Sequence, residues 1–115
     1  MYGERILKEI KRQLLKDKQL IPAINKMLKE SPWRNGRFGG ASYFTGFITR
    51  IEANENDVKI YVKYKDKEVT VEELFEKEAG VYSPTRAREV YILPFRARMK
   101  WLIRRSKEEE RDARE

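Results

Sequence analysis

The chain has 115 residues, 26 Lys and Arg against 19 Asp and Glu, a net charge of +7, and neither His nor Cys. That length suits one domain able to bury about 60–70% of its unfolded surface without a disulfide or metal. The missing residue types exclude a Ser-His-Asp triad, a Cys-His pair, a zincin site and any disulfide, and no run nears the ~20 apolar residues of a membrane span.

Ile6, Leu7, Ile10 and Leu14 recur at helical spacing, so residues 2–18 predict an amphipathic helix. Arg5, Lys8, Arg12 and Lys16 fall in one narrow stripe on its back at ~100° per residue, the pattern of a solvated helix surface. The segment lacks the apolar centre of a secretion signal, and a soluble, cytoplasmic protein is the expectation. Pro22 suits the first turn of a second helix, which carries Ile24, Met27 and Leu28 and stops at Ser31-Pro32. In residues 31–40 the turn signals Asn35-Gly36 and Gly39-Gly40 predict a loop, one that holds Trp33, Arg34, Arg37 and Phe38. Residues 41–52 and 58–64 read as strands joined by a polar turn, and residues 68–71 as a short third strand. One or two helical turns follow at residues 72–77, ended by Gly80. Residues 89–93 predict a fourth strand, and Pro94 opens the last helix.

Alternation sets the expected faces of the sheet. Val58, Ile60, Val62 and Tyr64 should face the helices together with Tyr43, Phe47 and Ile51. Phe44, Ile48 and Arg50 then lie beside Lys59, Tyr61 and Lys63 on the other face. In the last helix Phe95, Met99, Leu102 and Ile103 form the apolar stripe, and Trp101 sits roughly 145° from its centre among Arg98, Arg104 and Arg105. The stripe stops at Ile103. The expected organisation is one domain of residues 1–105 and a charged, frayed tail of residues 106–115. Its fold class is α+β: a four-stranded antiparallel sheet with two N-terminal helices packed on it and a basic C-terminal helix.

Basic and aromatic residues crowd into the same two stretches. Residues 31–52 carry three basic side chains against one acidic and residues 81–105 seven against one, whereas residues 53–80 carry five against eight. Lys and Arg neutralise phosphates, and aromatic rings offer faces on which unpaired bases stack, so the combination points to single-stranded DNA or RNA. The candidate binding residues are Trp33, Arg34, Arg37, Phe38, Phe44, Arg50, Lys59, Tyr61, Lys63, Arg86, Arg88, Tyr91, Arg96, Arg98 and Trp101. Tyr43 and Phe47 read instead as core.

Other chemistries fit less well. The Gly-rich stretch lacks the Gly-Lys-Ser/Thr ending of a phosphate loop and leads into a strand. Carboxylates that could serve a metal-dependent nuclease are Asp57 with Lys59, Asp66 with Glu68, and the pair Glu72-Glu73. All fall in polar turns or at a helix start, where turn chemistry and the helix dipole account for them. The expectation is no catalytic residue, no cofactor and no metal. No helix joins a basic face to Asn or Gln placed to read base edges, which disfavours duplex recognition. A ribonucleoprotein component bound to structured RNA is the second reading and a basic protein-interaction adaptor the third; the oligomeric state stays open, a homodimer included.

With its leading helices, aromatic Gly-rich loop, antiparallel meander and basic last segment in this order, the chain resembles the archaeal ThermoDBP family of single-stranded nucleic-acid-binding proteins over residues 2–103. Trp33-Arg34 through Gly46 and the strand bearing Lys59, Tyr61 and Lys63 carry the resemblance. It implies an aromatic cleft flanked by basic residues and binding with little sequence preference. The charged fraction of 39%, dominated by Lys, Arg and Glu, is similar to that of thermophile proteins. Family members can carry a C-terminal leucine zipper; nothing after Ile103 makes an apolar seam here, so no zipper is carried over.

Overall fold

The structure, a computed structural model, describes residues 2–39, 45–79 and 88–114. In chain order these form α1 (Tyr2–Lys16), a 3-10 turn (Lys18–Leu20), α2 (Ile21–Glu30), α3 (Pro32–Gly36), β1 (Arg37–Phe38), β2 (Gly46–Ala53), β3 (Val58–Tyr64), β4 (Lys67–Thr70) and α4 (Val71–Ala79). A π-helical stretch (Arg88–Ile92) then runs directly into α5 (Leu93–Arg114). The strands make one antiparallel sheet in the order β1-β2-β3-β4. The α+β class and the four antiparallel strands agree with the sequence expectation. No described helix is long and apolar enough to cross a membrane.

Alternation on β3 buries Val58, Ile60 and Val62 completely and leaves Lys59 and Lys63 in solvent. β2 does not keep the simple alternation. Its pairing with β3 shifts between Ile48 and Arg50, so that Ile48 opposes Val62 while Ile51 opposes Ile60. The extra residue, Thr49, turns both isoleucines into the core although they are three positions apart. This corrects the expected register: Ile48 is core, and Phe47, half-buried, stands opposite exposed Lys63.

The helices share one hydrophobic core with that face of the sheet. It is built from Ile10 and Leu14 of α1, Ile24 and Leu28 of α2, Leu74 of α4, and Phe95, Met99 and Leu102 of α5. α5 therefore covers the same face as α1 and α2. At its far end the helix continues to Arg114, and the buried Ser106 hydroxyl donates to the Ile103 carbonyl at 2.8 Å. α4 begins with a reciprocal cap, in which the Glu73 amide donates to Thr70 Oγ1 and the Thr70 amide to Glu73 Oε1, both at 3.3 Å.

Two expected elements lie elsewhere. The fourth strand is Arg37–Phe38, within the predicted loop, and residues 89–93 are not a strand. Val90, Tyr91 and Ile92 are all buried; the wide π-helical turn presents them to the core and passes into α5 at Pro94, which has no amide to donate. Tyr91, 1% exposed and edge-on to Tyr64 at 6.3 Å, is thus a core residue and not a binding residue. Phe38 is corrected in the same way. On a two-residue strand one side chain points out and the next in, so Arg37 is exposed while Phe38 is buried, edge-on to Phe95 at 5.6 Å. Gly46 opposite makes room for that ring: a Cβ there would come within 2.6 Å of Phe38 Cζ.

Candidate nucleic-acid interface

The site begins with how α2 is docked. Asn25 donates from Nδ2 to the Ile51 carbonyl at 2.9 Å and accepts the Ile51 amide on Oδ1 at 2.8 Å, which ties α2 to β2 just past the bulge. At the end of α2, Asn35 Nδ2 donates to the Met27 carbonyl at 2.7 Å, and the Asn35 amide closes a turn on the Ser31 carbonyl. With Pro32 in its first turn, that segment is helical where a loop was expected. Gly36 lets α3 approach the sheet, since a side chain there would collide with the Ile48 carbonyl.

Held this way, α3 projects Trp33 outward. Its side chain is 63% exposed, and among the described residues it stands out as the exposed large hydrophobic. One neighbour is Phe47, with ring centroids 5.5 Å apart and planes inclined by 40°. Another is the Arg37 guanidinium, 5.0 Å from the Trp33 ring centre. The two rings border a groove of about 860 Å³, whose lining includes Leu28, Pro32, Lys29, Lys63 and Lys65. Asp66 is the one carboxylate among its lining residues. Lys65 and Asp66 both have positive φ, 51° and 64°, as a tight hairpin turn between β3 and β4 requires.

Around α3 and β1 lies a second recess of about 590 Å³, lined by Arg34, Arg37, Arg98, Arg104 and Trp101. Arg98 Nε donates to the Arg37 carbonyl at 2.9 Å, and its guanidinium lies 4.7 Å from the Trp101 ring centre. Burial, and then the nearby Arg37 charge, lower the Arg98 pKa from its ordinary value, though a guanidinium stays protonated at neutral pH. Arg37 belongs to both places, over Trp33 and along the recess.

The middle of the open sheet face is different. Arg50 lies over Tyr61 at 3.8 Å, but Glu68 holds the guanidinium at 2.9 and 3.2 Å and Glu52 holds it from the other side. The Tyr61 hydroxyl also donates to Glu52, at 3.3 Å. Hydrogen bonds from Arg50 and then Thr49 lower the Glu68 pKa, and the same pairing raises that of Arg50.

Of the residues singled out from sequence, Trp33, Arg37 and Lys63 gather at the groove, and Arg34, Arg37, Arg98 and Trp101 at the recess. Arg50 and Tyr61 meet each other and two carboxylates. Arg50 also lines the groove. Lys59 stands farther along β3, exposed, and Arg96 lies toward α1 with Arg5, Lys8 and Arg12. Phe44 and Arg86 lie outside the described residues, as do Tyr43, Gly80 and the side chain of Arg88. Sequence reasoning missed Phe47, Lys29 and Lys65. The signal for Phe47 was the three-residue spacing of Ile48 and Ile51, which only a bulge can place on one face.

Four of the five carboxylates considered for catalysis, all but Asp66, have structural partners. Lys11 bridges Glu72 at 3.1 Å and Asp57 at 3.7 Å, Glu73 caps α4, and Glu68 holds Arg50. No cluster of three or more potential metal ligands occurs among the described residues. No family model, no curated protein and no solved structure matches the chain.

Proposed function

We propose that the chain binds single-stranded DNA or RNA in the cytoplasm, with little sequence preference, by stacking bases on Trp33 and Phe47 while Lys29, Lys63 and Lys65 contact phosphates. One observation carries this reading: Trp33 is left largely in solvent, beside a second ring and a guanidinium, at a groove rimmed with cations. Folding has no use for it there, because burying such a side chain would stabilise the chain by roughly 1.5–3 kcal/mol. Every base has a flat face, so a stacking site of this kind is tolerant of sequence. The likeness to the ThermoDBP family, with its aromatic cleft flanked by basic residues, points the same way.

Titration of fluorescent oligonucleotides tests it. Single strands should bind with a log–log salt slope of about −0.7 per phosphate contacted. Trp33→Ala should cost about 1–3 kcal/mol of binding and leave the melting temperature in place. Unchanged affinity in that variant would remove the groove from the site, and tighter binding to duplex or to a folded RNA would favour the ribonucleoprotein reading.

A further inference from the structure

We infer that the arginine recess beside Trp101 receives the terminal phosphomonoester of a bound strand, an assignment that rests on the single-strand reading of the neighbouring groove. The recess gathers four guanidinium groups, those of Arg34, Arg37, Arg98 and Arg104, and its described lining contains no carboxylate. Among the described residues none of the four is ion-paired, whereas Arg50 and Arg105 each have a glutamate partner. Like charges brought together without a counter-ion repel, and the burial that lowers the Arg98 pKa adds to the cost. A bound anion relieves both.

The chemistry of that anion follows from the number of charges to be met. A phosphodiester inside a strand carries one negative charge, while a terminal phosphomonoester carries about −1.5 to −2 near neutral pH and offers three free oxygens. Arginine forks suit such oxygens bidentately. Arg98 is already oriented, with one N–H spent on the Arg37 carbonyl and its guanidinium carbon 4.7 Å from the Trp101 ring centre, so its other donors are held in place before a ligand arrives. Trp101, half-buried against the core, lines the same recess. Arg37 joins the recess to the groove, so a strand stacked on Trp33 has a continuous cationic path to its end.

The test uses three internally labelled oligonucleotides of one sequence, with hydroxyls at both ends, a 5′-phosphate or a 3′-phosphate, at matched ionic strength. One phosphorylated form should bind about tenfold more tightly than the hydroxyl form, the worth of one charge-assisted contact. Which form wins identifies the end that enters. In Arg104→Gln, an exposed position where folding is not at risk, that ratio should fall to about twofold or less, and Arg98→Gln should act in the same direction. Trp33→Ala should weaken all three oligonucleotides and preserve the ratio. Equal binding of all three by the wild-type protein would overturn the recess assignment and leave the groove reading intact. So would a preference that survives both arginine substitutions, or a nucleoside monophosphate that binds as tightly as the phosphorylated strand. If the wild-type protein binds no oligonucleotide at all, the groove reading fails first and takes this assignment with it.

Discussion

Two of the places where this molecule sets an arginine over an aromatic ring contrast, Arg37 at Trp33 and Arg50 at Tyr61, and of these two only the first is open. At Arg50 and Tyr61 the guanidinium is closer to its ring, 3.8 Å against 5.0 Å for Arg37 and Trp33, yet Glu52 and Glu68 already satisfy it. At Trp33 the cation is not ion-paired among the described residues, and the ring is mostly wet. What separates a candidate binding surface from an ordinary stabilised sheet face is therefore the counter-charge, which residue composition does not reveal.

The largest expected effect sharpens the contrast by taking a third ring from the same stretch. Phe38→Ala should lower stability by about 3–5 kcal/mol, seen in chemical denaturation, because that ring fills the core beside Phe95. Asn25→Ala removes both tethers to Ile51 and should cost about 1–3 kcal/mol of stability, with affinity falling as α3 loses its seat. On binding, Tyr61→Ala should cost less than about 0.5 kcal/mol, well under the loss for Trp33→Ala. Equal losses at the two rings would break the comparison. Glu52→Gln together with Glu68→Gln should free Arg50 to reach phosphate and steepen the salt slope by about 0.7, measured by titrating at several salt concentrations.

The smallest effect concerns pH. The Glu68 carboxyl titrates below its ordinary value, chiefly through the hydrogen bonds from Arg50. Its folded pKa lies under its unfolded one, so its contribution to stability is complete above the unfolded value and is lost as pH falls through the folded one. The gap in melting temperature between the wild type and Glu68→Gln should be present at neutral pH and close in acid, below about pH 4. It should be small, since both partners are well exposed to solvent.

Much of this arrangement could be read from sequence where a period is sustained. The helical spacing of Ile6, Ile10 and Leu14, the stop at Ser31-Pro32, and the strict alternation of β3 all follow from local pattern. Trp33 and Arg37 were also legible, as an aromatic and a cation among turn residues. What escaped depends on contacts between distant segments. β1 is too short to show a period, and Phe38 is buried only because Phe95 and Gly46 meet it. The bulge at Thr49 moves Phe47 by a one-residue offset that alternation alone does not signal. Val90-Tyr91-Ile92 has the composition of a strand, yet a chain entering α5 without a break presents all three to the core. The closure of Arg50 depends on Glu68, which arrives from another strand.

The margins of the sheet carry a final consequence. On one side β1 contributes two residues, and just beyond it Asn25 occupies the amide and carbonyl of Ile51. On the other, β4 has four residues and bears Lys67 and Glu68. A foreign strand needs a long row of unsatisfied peptide groups to add to a sheet, and short, charged or covered edges deny it one. The described margins thus offer a foreign strand few free peptide groups with which to pair.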